Sequence, residues 1–239
     1  MFNSWVLIVL ILIYSLPVVI VYIWFRFAKY QISLVQFLFA FLAGAAAFFP
    51  ALILQKMLSF SFYSYNKTAL FYNFFIRIAL TEESSRFLML LIFFFISARL
   101  KPDADLNQPL TFNVIKRGTA IGLIAGLGFA FLESVRYAVS DMSISIALLR
   151  IFTAALHGAC GSRVGSAAVT LQKNPVQAFL RFFTAVAIHG VFNLMVNIPG
   201  LPSIAAILIT LSALTTTILF IRGGWESVSL SIDKTDKNQ

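Results

Sequence analysis

Long uninterrupted apolar runs are the feature that most limits how this chain can fold. The first, WVLIVLILIYSLPVVIVYIWF at 5–25, contains no charged residue. A helix needs about 20 such residues to cross a bilayer, whereas a barrel strand has about 10 and alternates in polarity. Over the whole chain 60% of residues are hydrophobic and 11% are charged, unlike a soluble domain. The sequence therefore predicts an all-α, polytopic transmembrane helical bundle.

The apolar runs predict seven membrane spans in one domain, 1–221, whose motif-bearing core is 80–195. A polar cytoplasmic tail, 222–239, is expected to follow. The third span is long, and a break near Thr81 would raise the count to eight. Met1–Val19 has neither a basic leading segment nor a small-residue cleavage site, so it is expected to be a retained span. The predicted spans are 5–25, 34–55, 70–99, 118–139, 144–171, 177–198 and 203–221.

The distribution of basic residues predicts the orientation. One set of alternate loops holds eleven Lys and Arg, and the other side holds Lys56, Lys67 and Arg77. Because basic loops stay in the cytoplasm, the N-terminus is expected outside and the C-terminus inside. The same bias accounts for the net charge of +9 without a nucleic-acid partner. The eleven are Arg26, Lys29, Arg99, Lys101, Lys116, Arg117, Lys173, Arg181, Arg222, Lys234 and Lys237.

Ionisable residues inside the predicted spans are the candidates for function. Each would be costly in contact with lipid, so each is expected to face the bundle interior or a water-filled cavity. The single cysteine, Cys160, excludes an intramolecular disulfide and a multi-cysteine metal cluster. The ionisable residues in question are Glu82, Glu83, Arg86, Glu133, Arg136, Arg150, His157, Arg163 and His189.

Helical spacing predicts how these residues are grouped. Glu82 and Arg86 stand at i and i+4, so they are able to pair. Glu133 lies seven residues beyond Gly126, on a stripe of small residues that lets helices approach closely. His189 and Asn193 share one helix face in the same way. Arg150 and His157 lie on one face of another span, which Gly161 and Gly165 continue.

The residue types permit hydrolysis by an activated water. A glutamate can act as the general base, and a histidine and an asparagine on one helix face can donate to a developing oxyanion. The sequence shows no obvious partner arrangement for a serine or cysteine nucleophile, and no HExxH motif. A zinc version of the same pocket is open, with Glu133, His157 and His189 as possible ligands. The cofactor is therefore left undecided.

Four segments with these residues stand in order along the chain: EESSR at 82–86, GFAFLESVRY at 128–137, RIFTAALHG at 150–158 and HGVFN at 189–193. Together they resemble the motif series of the PrsW intramembrane proteases, which are relatives of the CPBP (Abi) and CAAX endopeptidase membrane proteins. Ser134 departs from the asparagine that commonly follows the motif glutamate.

The resemblance implies a role for each matching residue. Glu82, with or without Glu83, would be the base for water, and Glu133 would share a proton. His189 and Asn193 would form the oxyanion hole, and His157 would complete the pocket. Arg86, Phe129 and Arg150 would support these side chains. The implied function is cleavage of a membrane protein or peptide, for the family's namesake an anti-sigma factor cut on its extracytoplasmic side, in a bacterial cytoplasmic membrane.

Plainer explanations remain open at this stage. Glu82 and Glu83 could mark a helix start with Thr81 as the N-cap. Glu133 could be only a structural partner of Arg136 or Arg150, and His157 only an interhelical hydrogen bond. A proton-coupled transporter and a non-catalytic scaffold are alternative functions. Arg163 and Arg77 are expected to have structural or interfacial roles.

Overall fold

The computed structural model of the chain describes residues 4–28, 30, 32–59, 67–100, 105–140, 144–197 and 200–223. Within these ranges every regular element is helical, as predicted. Most of the predicted tail and the start of the loop after the third span lie outside the described residues. The helices are α1 (Ser4–Phe27), α2 (Leu34–Met57), α3 (Lys67–Phe71), a π-helix (Tyr72–Leu80), α4 (Thr81–Leu100), a 3₁₀ turn (Asp105–Asn107), α5 (Phe112–Ser140), α6 (Ile144–Thr170), α7 (Pro175–Val196) and α8 (Leu201–Arg222).

Five of these helices are long and apolar enough to cross a membrane: α1, α2, α5, α7 and α8. They show that the protein is an integral membrane protein. The other two long helices, α4 and α6, carry Glu82, Glu83, Arg86, Arg150, His157 and Arg163. The predicted count of seven spans therefore stays a prediction beyond these five.

Helix α5 lies at the centre of the bundle. Of its most apolar stretch 78% is buried by other helices, compared with 11% for α1. Its main neighbour is α6, and the two helices run antiparallel with glycines between them. A Cβ on Gly122 would overlap the carbonyl oxygen of Gly161, and a Cβ on Gly126 would overlap that of His157. The predicted small-residue stripe therefore brings the two backbones together, and it places His157 against α5.

The third predicted span changes helix type instead of breaking. The π-helix passes directly into α4 at Thr81, which has helical dihedral angles. The hydroxyl of Thr81 donates to the carbonyls of Arg77 and Ile78, at 2.6 and 2.9 Å. Thr81 therefore does not cap a helix start, and that explanation of the two glutamates is wrong. A π segment often marks a functional site.

Helix α5 begins at Phe112, six residues before the predicted span at 118. Thr111 starts it, because the amide of Ile115 donates to its carbonyl at 3.1 Å and that of Val114 to its hydroxyl at 3.4 Å. Lys116 and Arg117, predicted in the loop, thus lie in the first turns of the helix. The apolar run predicted only the part of the helix that suits lipid, so it did not predict the more polar first turns.

The predicted basic loops meet at one end of the bundle. Lys173, in the turn between α6 and α7, donates to the carbonyls of Leu106 and Gln108 in the α4–α5 loop. Tyr30, between α1 and α2, donates to the carbonyl of Ile221 near the end of α8. The loops with the basic excess therefore share one end, and the ionisable residues of the predicted site lie toward the other.

Candidate active site

A cavity of about 480 Å³ lies in the half of the bundle opposite the basic loops. It is walled by α2, the π-helix, α4, α5, α6 and α7, and most of its polar lining comes from residues of the motif series. Of the predicted site residues it is lined by Glu82, Phe129, Glu133, Arg150, His157, His189 and Asn193. The motifs, although up to about a hundred residues apart in sequence, therefore meet in one place.

The first contact in this site is a buried pair on α4. Arg86 donates from Nη2 to Oε1 of Glu83 at 2.5 Å, and both side chains are 0% exposed. The predicted pairing of Arg86 with Glu82 is therefore wrong. Residues three and four apart are both neighbours on a helix surface. In this pair Arg86 also contacts the ring of His157, and Glu83 also accepts from His189.

His189 lies between the two adjacent glutamates. Its Nδ1 donates to Oε1 of Glu83 at 2.7 Å, and its Nε2 lies 3.7 Å from Oε2 of Glu82. In the neutral ring, a proton on Nδ1 leaves a lone pair on Nε2. This lone pair faces Glu82.

Glu82 is held from the α2 side and is open on the other side. Gln55 donates from Nε2 to Oε1 of Glu82 at 2.9 Å. The second oxygen, Oε2, is buried and has no hydrogen-bond partner among the described residues. A buried carboxylate oxygen without a donor is costly, and such atoms need an explanation, such as a water or an ion. Glu82 therefore presents one unsatisfied oxygen to the cavity.

His157 receives one hydrogen bond and gives another. Nη2 of Arg86 lies 3.1 Å from its Nδ1, and its Nε2 lies 2.9 Å from Oε2 of Glu133. Because a guanidinium only donates, Nδ1 must be the acceptor and Nε2 must carry the proton. Arg86 also donates to the backbone carbonyl of His157 at 3.1 Å. The ring orientation of His157 is thus fixed from both sides.

Glu133 joins the site through Arg150. Nη2 of Arg150 forms an ion pair with Oε2 of Glu133, and its Nε donates to Oγ of Ser134 at 3.2 Å. The guanidinium of Arg150 also lies 4.5 Å from the ring centre of Tyr137. Ser134, which departs from the family pattern, therefore has a function in this chain as an acceptor for Arg150.

The ring of Phe129 packs against Arg86 and His157. The guanidinium carbon of Arg86 lies 4.7 Å from its ring centre, and its centroid is 5.2 Å from that of His157. A cation over an aromatic face is stabilised by the ring quadrupole. The aromatic residue of the FxxxE motif thus holds the residues that contact Glu83 and Glu133.

The remaining predicted residues divide between this cavity and other places. Asn193 and Arg136 line the cavity, whereas Arg163 lines a separate one near the basic end. Gln55 contacts Glu82 although the sequence did not point to it, and Ser134 and Tyr137, which lie in the second motif without an assigned role, contact Arg150. Gln55 was missed because a polar residue near the end of an apolar helix is typical of the membrane interface.

Three side chains could offer ligands to one metal ion. Ligand atoms of Glu82, His157 and His189 all lie within 4.8 Å of one another. The structure therefore gathers Glu82, and not the predicted Glu133, with the two histidines. One carboxylate and two imidazoles are a donor set that zinc commonly uses. The unsatisfied Oε2 of Glu82 and the lone pair on Nε2 of His189 suit a cation, and Nε2 of His157 would have to leave Glu133.

Comparison with known proteins identifies the family of the chain. The model of the PrsW family intramembrane metalloproteases matches residues 33–221 of the chain. No curated protein and no solved structure matches the chain significantly. The matched residues run from the start of α2 almost to the end of α8 and include every residue of the site. The chain therefore belongs to the PrsW family of intramembrane metalloproteases.

Proposed function

We propose that the protein hydrolyses a peptide bond of a membrane protein with a water held between Glu82 and His189. One observation carries this proposal: Oε2 of Glu82 and Nε2 of His189 face each other at 3.7 Å, and no described residue donates to that carboxylate oxygen. Two acceptors without a donor between them suit a water molecule that gives one hydrogen to each. Such a water lies beside a carboxylate base.

Glu82 acts as the general base. Its Oε2 takes a proton from the water while the water oxygen attacks the carbonyl carbon of the scissile bond. The same proton then passes from Glu82 to the leaving amine. Gln55 keeps Oε1 occupied, so Oε2 stays directed at the water. Glu83 accepts from Arg86 and His189 through Oε1 and is not among the residues that line the cavity, so it orients His189 and is not the base.

Asn193 supplies a donor for the oxyanion. It lines the same cavity one turn beyond His189, and its side-chain amide can donate without a change of protonation. His189 can contribute a second donor only when both ring nitrogens carry protons. Glu133 with Arg150, and Glu83 with Arg86, hold the two imidazoles in place, and His157 completes the polar wall.

The family's description and the ligand geometry favour a metal version as a second candidate. Glu82, His157 and His189 would hold the ion, because their ligand atoms lie close enough together to do so. A bound zinc would supply an acidified water and polarise the scissile carbonyl. In that version Gln55 and Glu83 keep the same positioning roles toward Glu82 and His189.

The wider setting is also part of the proposal. The chain has seven spans in one domain, 1–221, with its N-terminus outside the cell and the tail 222–239 in the cytoplasm. The site lies opposite the basic loops, which supports cleavage toward the extracytoplasmic side. The proposal also includes a relationship to the CPBP and CAAX endopeptidases. It places the protein in a bacterial inner membrane and gives it an anti-sigma-factor-like substrate.

The function is tested by comparing the new protein N-termini that cleavage creates in cells. Membranes are taken from cells that express the wild type or Glu82→Gln, and the N-terminal peptides of their proteins are measured by mass spectrometry. The wild type is expected to create new ends in or next to transmembrane segments, which the variant lacks. Identical sets of ends from both would contradict the proposal.

A further inference from the structure

A second cavity, of about 250 Å³, lies in the half of the bundle that carries the basic loops. Its lining comes from α5, α6, α7 and α8, and it shares no residue with the candidate active site. Two arginines, Arg163 on α6 and Arg181 on α7, line it together with hydroxyl side chains. Neither arginine has a part in the hydrolysis proposed above.

Within the described ranges, the hydrogen bonds of Arg163 all go to neutral oxygen atoms. Its Nη1 donates to the carbonyl of Ala159 at 2.8 Å and to the hydroxyl of Thr217 at 3.3 Å. Its Nη2 donates to the hydroxyl of Thr216 at 3.0 Å. These bonds fix the guanidinium at the wall of the cavity, and none of the described carboxylates pairs with its charge. Since a guanidinium has five N–H groups, donors remain for a ligand.

The two positive charges are unbalanced in the part of the chain that the structure describes. Neither Arg163 nor Arg181 forms an ion pair there, and Arg181 makes no hydrogen bond to a described residue. Arg163 lies seven residues before the end of α6, and Arg181 six residues after the start of α7. At 1.5 Å per residue both stand about 10 Å inside the helix ends. Charges at such a depth are costly unless an anion or water accompanies them.

The hydroxyl groups of the wall leave the two arginines as the donors of the cavity. The hydroxyls of Thr119, Ser162 and Ser166 donate to backbone carbonyls of their own helices, at 2.8, 2.7 and 2.9 Å. Their hydrogens are therefore not available to a ligand. The donors that remain are the N–H groups of the two arginines, which suit the oxygens of a phosphate.

The surroundings point to lipid as the source of that phosphate. Leu180 and Phe183, which flank Arg181 on α7, are 65% and 56% exposed, and Leu219 on α8 is 45% exposed. These apolar side chains suit acyl chains beside the cavity. Basic pockets between membrane helices on the cytoplasmic side are typical binding sites for anionic headgroups. We propose that Arg163 and Arg181 bind the phosphate of an anionic phospholipid in this cavity.

Native mass spectrometry of the purified full chain tests the proposal. The protein in detergent is titrated with phosphatidylglycerol, with zwitterionic phosphatidylcholine, and with phosphatidylglycerol in the presence of excess inorganic phosphate. The wild type should retain phosphatidylglycerol in preference to phosphatidylcholine. Arg163→Gln and Arg181→Gln should each weaken that retention roughly 10-fold, because each loses a charge-assisted hydrogen bond.

Arg99→Gln is the matched control, since Arg99 lies at the basic end, is outside the cavity and stacks on Phe95 at 4.9 Å. It should retain the lipid as the wild type does. If Arg163→Gln does not fold, Arg181→Gln carries the test. Equal retention by Arg181→Gln, Arg99→Gln and the wild type would overturn the proposal. Displacement of the lipid by inorganic phosphate would overturn the assignment to lipid.

Discussion

Nδ1 of His189 donates to Oε1 of Glu83 at 2.7 Å, which turns the opposite ring nitrogen toward Glu82. The two adjacent glutamates thereby differ in their surroundings. Each carboxylate has one bonded oxygen and one oxygen without a hydrogen-bond partner among the described residues, but Oε1 of Glu83 is occupied by a buried arginine and an imidazole, and of the two glutamates Glu82 lines the cavity. Adjacent residues on a helix point about 100° apart, so such a division follows from their positions.

This division predicts different effects of two matched substitutions on stability. Glu83→Gln leaves Arg86 buried beside a neutral side chain, and breaking a buried ion pair costs about 3–5 kcal/mol of the free energy of unfolding. Glu82→Gln removes a buried carboxylate that pairs with no Lys or Arg among the described residues, so its melting temperature should stay close to that of the wild type. Thermal unfolding of both variants in one detergent measures this. A larger loss for Glu82→Gln would contradict the assignment.

Gln55 should affect the rate of hydrolysis more than substrate binding. In Gln55→Leu the carboxylate of Glu82 loses the donor that fixes Oε1. Loss of a residue that orients a catalytic group typically lowers activity by about 10-fold or more. We expect kcat to fall while KM changes little. Gln177→Leu, the same change outside the cavity, is the control, and an equal loss of kcat there would refute the role of Gln55.

Metal content should depend on Glu82 and not on Glu133. Any zinc that the purified wild type binds should be lost in Glu82→Gln, His157→Ala and His189→Ala, because their ligand atoms lie within 4.8 Å of one another. Glu133→Gln should keep it, since Glu133 is paired with Arg150. Elemental analysis of each variant measures this directly. Loss of zinc from Glu133→Gln alone would contradict the ligand set.

The contact between α5 and α6 should tolerate a methyl group at one glycine but not at another. In Gly126→Ala the new Cβ meets the backbone carbonyl of His157, which cannot move aside easily. In Gly158→Ala it meets the end of the Leu123 side chain, at 2.9 Å, which can. Overpacking of this kind costs about 1–3 kcal/mol. Gly126→Ala should therefore melt lower than Gly158→Ala, and the reverse order would contradict the packing.

The helices and the meeting of the polar residues could be predicted from the sequence. Continuous apolar runs placed the long helices to within a few residues, except at the start of α5. The glycines in steps of four residues identified the faces of α5 and α6 that touch. Four motifs identified Glu82, Glu133, His157 and His189, which the structure places around one cavity.

Partner choice within the site could not be predicted. Arg86 had neighbours of the same type three and four residues away, and spacing alone does not choose between them. The choice depends on His157 and His189, which come from helices 71 and more residues further along the chain. For the same reason the predicted set of metal ligands included Glu133. The pairing of Glu133 with Arg150 depends on how the helices pack, so spacing in the sequence could not predict it.

The most direct test of the proposed chemistry is a cleavage rate. One substrate found by N-terminal mass spectrometry is reconstituted with the wild type or with Glu82→Gln in identical vesicles, and product is measured over time. We expect the variant to cleave at least about 100-fold more slowly, as removal of a general base does, with an unchanged melting temperature. A rate close to that of the wild type would contradict the assignment of Glu82 as the base that activates water.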